Sequence, residues 1–244
     1  MAQAVFFLPG IIAPAARRYE LLVDQLVDVN AVMKDLEVYR GEAPPTAYSI
    51  AAEMDGLLRV ADEAGVDRFH LYGHSAGGAV ALAFAVAHPD RLLTLAIDEP
   101  ASDFTDEGNA EYGWADFDRA LQMPPTESMR EFLKLQVASG VALPPPPEVQ
   151  PPWMVKRPAG VRAFIEALRA HHVAADAYRE FEKPVYFSWG SLTHSRWKSM
   201  EQRLSTLFPN FTSEMFEGLH HLNTSHMAEP QRVAARLTAL WQRT

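Results

Sequence analysis

The chain has 244 residues, 48% of them hydrophobic, with a formal net charge of -9 and no cysteine. That length can bury a sizeable core in one α/β unit with an insertion. The acidity argues against a polyanionic nucleic-acid partner, and the missing cysteine excludes a disulfide framework and a thiol nucleophile. Met1 to Leu8 lacks the basic start and long apolar stretch of a secretory signal. With no apolar run of membrane-spanning length, the expectation is a soluble, cytoplasmic protein that acts on a small molecule and has no membrane partner.

Ala4 to Leu8 is almost wholly apolar and ends at Pro9-Gly10, as expected of a strand covered on both faces of a parallel sheet. Arg17 to Asp28 places Tyr19, Leu22, Leu26 and Val29 at helical spacing, and a strand is expected around Ala31 to Val38. After the break at Gly41 to Pro45, Thr46 is positioned to cap a helix that Gly65 stops. Arg68 to Tyr72 reads as a strand, Gly78 to Ala87 as a helix ended by Pro89, and Arg91 to Ile97 as a further apolar strand.

The alternation fails between Ala101 and Glu182. Aromatic residues recur there at Phe104, Tyr112, Trp114, Phe117, Phe132, Trp153 and Phe164, and prolines crowd positions 144 to 147 and 151 to 152. Trp114, Phe117 and Leu121 share one helical face, and Met129, Phe132, Leu133 and Val137 another; such stripes serve packing first and pocket lining second. Residues 101–182 are therefore expected to form a helical cap inserted after the strand ending near Ile97, with residues 1–100 and 183–244 as the core. Pro184 to Trp189 resumes the strands, Trp197 to Leu207 is amphipathic, Phe211 to Phe216 is the last strand and Pro230 to Trp241 the terminal helix.

Gly73-His74-Ser75-Ala76-Gly77 lies between a strand-like and a helix-forming run. A serine on a sharp strand-to-helix turn needs small residues two positions away on each side, since a Cβ there would strike neighbouring backbone. On this motif and its context the chain resembles the α/β-hydrolase superfamily, which implies a mostly parallel central sheet flanked by helices. The resemblance makes Ser75 the nucleophile and the N–H groups of Ala76 and Ile11 the oxyanion hole. Pro9 stands where the family often has histidine, a change that backbone donors tolerate.

A serine hydroxyl needs a base to accept and return its proton. The family draws that histidine from the loop after the last strand, here Gly218-Leu219-His220-His221-Leu222-Asn223; matching His220 to the family's glycine selects His221, with His220 as the alternative. The usual acid position, four residues into Gly190-Ser191-Leu192-Thr193, is occupied by Thr193. Certain lipases and haloalkane dehalogenases of the superfamily place the acid one strand earlier, which points to Glu99, with Asp98 second. Adjacent strand residues face opposite ways, so one of the two is expected to reach His221. His74 is expected to pack beside the site, and His220, His221 and His226 lack the spacing of a metal site.

The expected activity is hydrolysis, without cofactor or metal, of an ester, thioester or lactone with an apolar portion. Two alternatives stand beside it: a non-hydrolytic receptor or scaffold of the same fold, favoured by the missing aspartate at Thr193, and a C–C hydrolase or lyase.

Overall fold

Among the described residues, six strands form a single parallel sheet in the order β2-β1-β3-β4-β5-β6. The computed structural model describes residues 3–102, 113–145 and 148–243; Phe104, Tyr112, Pro146 and Pro147 of the expected insertion, and Met1-Ala2, lie outside them. The strands are β1 (Gln3–Leu8), β2 (Val29–Met33), β3 (Phe69–His74), β4 (Leu92–Asp98), β5 (Val185–Gly190) and β6 (Phe211–Phe216). Alternate side chains of each strand feed opposite layers. Phe6, Leu8, Leu71, Leu95 and Phe187 join one buried cluster with α2 (Ile50–Glu63), α3 (Ala76–Ala87) and α7 (Arg196–Leu207). Val5, Phe7, Tyr72, Ala96 and Tyr186 join the other with α1 (Ala15–Val23) and α9 (Pro230–Trp241). Helix α3 is buried from Ala76 to Ala85, which is why it reads Ala-Gly-Gly-Ala-Val-Ala-Leu-Ala-Phe-Ala with no polar face.

The chain leaves β1 for β2 on one side and then returns to place β3 on the other side of β1. Loops leaving β1 and β3 therefore diverge, opening a crevice at the strands' carboxyl ends where open α/β sheets take their ligands. Pro9 to Ile12 and Ser75 lie at that switch point. Helices α4 (Trp114–Leu121), α5 (Pro125–Lys134) and α6 (Arg157–Ala170) all fall between β4 and β5. Phe117, Leu121, Val161, Phe164, Ile165 and Leu168 join the same buried cluster as α2 and α3 rather than a core of their own.

Several boundaries differ from the sequence reading. The second strand stops at Met33 because Lys34 turns inward to Glu37 (3.1 Å), while the Glu53 carboxylate accepts the Glu37 and Val38 N–H groups that a longer strand would give to a neighbour. Helix α1 ends at Val23, short of Asp28, which has a left-handed φ of 57°. Ser49, not Thr46, caps α2, its hydroxyl accepting the Ala52 N–H at 3.1 Å. Helix α5 stops at Lys134, so Val137 leaves the stripe of Met129, Phe132 and Leu133 and bridges instead to Thr193.

The elbow is packed as its glycines require. A Cβ at Gly73 would sit 2.7 Å from the Gly77 carbonyl carbon, and one at Gly77 would sit 2.5 Å from that of Leu8 and 2.6 Å from the Pro9 oxygen. Backbone on both sides of the contact cannot retreat, so Gly77→Ala should cost about 2 kcal/mol or more by overpacking. Urea unfolding should show a lower midpoint at unchanged slope; a midpoint equal to wild type would contradict this packing.

Candidate active site

Ser75 occupies the turn between β3 and α3 with φ 51° and ψ -116°, a strained conformation for a residue with a Cβ. The surroundings hold it there. Its N–H donates to the Asp98 carbonyl (3.1 Å), its own carbonyl accepts the Ala79 and Ala101 N–H groups, and the next turn is tied to β1 by Gly77 N–H donating to Pro9 O (2.9 Å). Ala76 begins α3, so its N–H points from the positive end of the helix without an intrahelical acceptor. Ile11, Ser75 and Ala76 line one pocket.

His221 Nε2 lies 2.9 Å from Ser75 Oγ, and His221 Nδ1 lies 2.6 Å from Glu99 Oε2. All three side chains are buried. A neutral imidazole with its proton on Nδ1 satisfies both contacts, accepting from the serine hydroxyl and donating to the carboxylate. The ring packs against Trp197, stacked at 4.5 Å and 19°, whose Nε1–H is anchored to Pro100 O (3.0 Å), and against His74, tilted at 4.8 Å. His220 turns back on its own loop, its Nδ1 accepting the Leu222 N–H.

Glu99 follows the last residue of β4 with φ 45°. Its Oε1 accepts the Gly190 N–H (2.7 Å), and its Oε2 lies 3.1 Å from Thr193 Oγ1. Thr193 thus stands where the resembling family has its acid and presents a hydroxyl to the acid this chain carries on another strand. Burial, and the charge of Asp98 beside it, push the Glu99 carboxyl upward; the Gly190 and Thr193 donors oppose this.

Asp98 faces the other way, as strand pleating predicts. It accepts from Ser225 Oγ (2.9 Å) and Tyr72 Oη (3.3 Å) and meets His226 Nδ1 at 2.8 Å, with His226 fully buried in the short helix α8 (Ser225–Ala228). Two neighbouring carboxylates at the carboxyl end of β4 therefore hold two histidines five residues apart. The Asp98–His226 pair was not legible in the sequence: His226 lies within the chain's densest group of histidines, but nothing local marks its partner.

Arg18 was likewise missed, because on α1 it reads as an ordinary polar-face residue. Its Nη2 donates to His74 Nε2 (3.0 Å), to Thr224 Oγ1 (3.1 Å) and, more weakly, to the His221 carbonyl (3.5 Å). As the acceptor of an arginine N–H, His74 is neutral, and burial followed by the Arg18 charge holds its pKa well below the usual imidazole value. Burial also lowers His221, and Arg18 and Arg196 reinforce the effect.

The pocket beside Ser75 is lined by Ile11 and Ala76 and, from the segment between β4 and β5, by Ala101, Trp114, Phe117, Phe132, Gln136, Val161, Phe164, Ile165 and Leu168; its empty space, open mouth included, is about 380 Å³. Gln136 is engaged at both ends, its Nε2 donating to Phe132 O (3.0 Å) and its Oε1 accepting from Arg196 (3.0 Å). No helix among the described residues is long and apolar enough to cross a membrane.

A parallel α/β sheet carrying a serine on a strand-to-helix elbow at its switch point defines a recognisable class of protein. The profile of the alpha/beta hydrolase fold family matches residues 39–225, most of the chain, and the chain belongs to that family. A dihydrolipoyllysine-residue acetyltransferase component of an acetoin-cleaving system from Cupriavidus necator is 37% identical over 113 residues, 46% of this chain and 30% of that one. Epoxide hydrolase 3 of Siraitia grosvenorii is 25% identical over 195 residues, 68% of this chain and 61% of that one. The chain thus spans less than two thirds of either relative. Naproxen esterase of Bacillus subtilis superposes with a TM-score of 0.71 at 18% identity, covering 98% of this chain and 84% of that one, a likeness of fold.

The charge arrangement makes a titration prediction. A lowered pKa means His221 keeps its proton off to a pH below the ordinary imidazole value near 6.5. Removing the cation in Arg18→Met should move the His221 midpoint, followed by imidazole NMR, to higher pH. A midpoint that stays put or falls would show that Arg18 does not set it.

Proposed function

We propose that this protein is a serine hydrolase in which Ser75, His221 and Glu99 act as nucleophile, base and orienting acid. The observation that carries the reading is the unbroken series of contacts, 2.9 Å from Ser75 to His221 and 2.6 Å from His221 to Glu99. In this reading His221 Nε2 takes the hydroxyl proton as Ser75 Oγ attacks a carbonyl, and Glu99 stabilises the resulting imidazolium. The tetrahedral oxyanion meets the N–H groups of Ile11 and Ala76, dipoles already oriented before charge develops. Collapse expels the alcohol, which takes the proton from His221, and water activated by the same histidine releases the acyl enzyme.

The substrate we propose is an ester, thioester or lactone whose apolar portion enters the pocket beneath α4, α5 and α6, which serve as a cap. Apart from Ser75 the pocket wall is apolar save for Gln136, and both ends of that amide are already bonded. A charged or polyhydroxylated group would lose its hydration there without replacement. The receptor alternative rested on Thr193 in place of an aspartate, and the Thr193 hydroxyl against Glu99 weakens it.

Kinetics on a short p-nitrophenyl ester test the roles. Ser75→Ala should lower kcat by about 10⁴-fold or more and Glu99→Gln by a comparable factor through loss of the correct tautomer, whereas Asp98→Asn should stay within about tenfold of wild type. Loss of turnover in Asp98→Asn with Glu99→Gln active would reverse the acid assignment; turnover surviving Ser75→Ala would end the serine mechanism.

A further inference from the structure

Three carbonyl groups hold the loop that follows β1. Leu8 O accepts from Tyr19 Oη (2.6 Å), Pro9 O from the Gly77 N–H (2.9 Å) and Ile11 O from Tyr39 Oη (2.8 Å). The first two bonds fix the loop where it leaves the sheet; the third fixes the residue whose N–H the proposed mechanism uses. Tyr39 closes a short 3-10 turn, Glu37–Tyr39, that is itself pinned by the Glu53 carboxylate.

The other face of Tyr39 meets α6. The Arg157 guanidinium lies 3.7 Å from the centre of the Tyr39 ring, a cation–π contact from a buried arginine. Three residues on, Gly160 lets the phenol approach the helix backbone: a Cβ there would sit 2.5 Å from Tyr39 Cζ and Oη. Burial raises the phenol's pKa, so it stays a neutral donor. The same helix sends Val161, Phe164, Ile165 and Leu168 into the pocket wall. One element therefore lines the pocket and supports the side chain that supports the Ile11 peptide.

We infer that Tyr39 is a positioning residue: its hydroxyl, seated on α6 by Gly160 and Arg157, fixes the Ile11 carbonyl and so aims the Ile11 N–H at the oxyanion. The inference rests on the hydrolase reading for the role of Ile11. The bond anchors the Ile11–Ile12 peptide, while Gly77 anchors the Pro9 carbonyl; the Gly10–Ile11 peptide that bears the Ile11 N–H is thus spanned between two fixed points, and loss of the phenol frees one of them and relaxes the donor's preorganisation. Because the donor acts on charge that develops only in the transition state, its loss lowers kcat and leaves ground-state binding little changed.

Tyr39→Phe deletes the hydroxyl and keeps the ring; Gly160→Ala displaces the phenol from the helix side. Both would be compared with wild type for melting temperature, for kcat and KM on a p-nitrophenyl ester, and for the Ile11 amide resonance. The expected result is kcat lowered about tenfold by Tyr39→Phe with KM within twofold, a shifted Ile11 amide, an unchanged global fold, and the same pattern from Gly160→Ala. An unmoved Ile11 amide with wild-type kcat would overturn the inference, as would a raised KM at unchanged kcat, which is the signature of a pocket wall. Should wild type show no Ser75-dependent turnover, the hydrolase reading fails by itself; the Ile11 amide then decides, a shift in Tyr39→Phe supporting the positioning contact and an unmoved resonance overturning it.

Discussion

The His221 imidazole is held at both ring nitrogens and packed against two further rings, and that constraint organises the carboxyl end of the sheet. Glu99 bonds one ring nitrogen and Ser75 the other, Trp197 stacks on the ring, and His74 packs against it at a tilt. These neighbours come from the ends of β3 and β4 and from α7, so the ring can be placed only once the sheet has formed in order and α7 has packed. In this sense the local geometry is a property of the whole fold rather than of the loop that bears the histidine. Burial, reinforced by the charges of Arg18 and Arg196, depresses the pKa of the ring and so favours its neutral form.

The adjacent acids of β4 divide two tasks by facing opposite ways. Glu99, twisted into a left-handed conformation just past the strand, reaches the histidine beside Ser75; Asp98 reaches His226, Ser225 and Tyr72. Both contacts fall on one short stretch of chain, from His221 to His226, so β4 grips the histidine loop at two points. Arg18 lies between them on Thr224 and the His221 carbonyl, and it supplies positive charge where two buried carboxylates would otherwise repel. Such a network is costly to bury piecemeal and rigid once its donors and acceptors are matched.

What could be read from the sequence was what local spacing encodes. Glycine on either side of Ser75 signals a turn whose packing forbids a Cβ; the apolar strand of Leu92–Asp98 delivers two acids to the sheet's carboxyl end; the terminal helix shows its buried stripe through Val233, Ala234, Leu237, Leu240 and Trp241. The segment between β4 and β5 was legible only as a helical insertion rich in aromatics, since which face of an amphipathic helix meets a pocket depends on tertiary packing. Contacts between residues remote in the chain left no local trace. Arg18 resembles a solvated helix residue, and Tyr39 falls just beyond the strand expected over Ala31 to Val38, which in fact stops at Met33. Thr193 was read as the loss of an acid, whereas its hydroxyl lies against an acid on a neighbouring strand, a compensation that only three dimensions reveal.

The central claim is that Ser75 is made nucleophilic by His221. Labelling with a fluorophosphonate, followed by peptide mass mapping, addresses it directly, because the probe phosphonylates an activated serine and leaves an inert one unmodified. A single adduct on the peptide containing Ser75 in wild type, absent from His221→Ala under the same conditions, is the predicted result. No adduct in the folded protein, an adduct on another residue, or equal labelling of His221→Ala would contradict it.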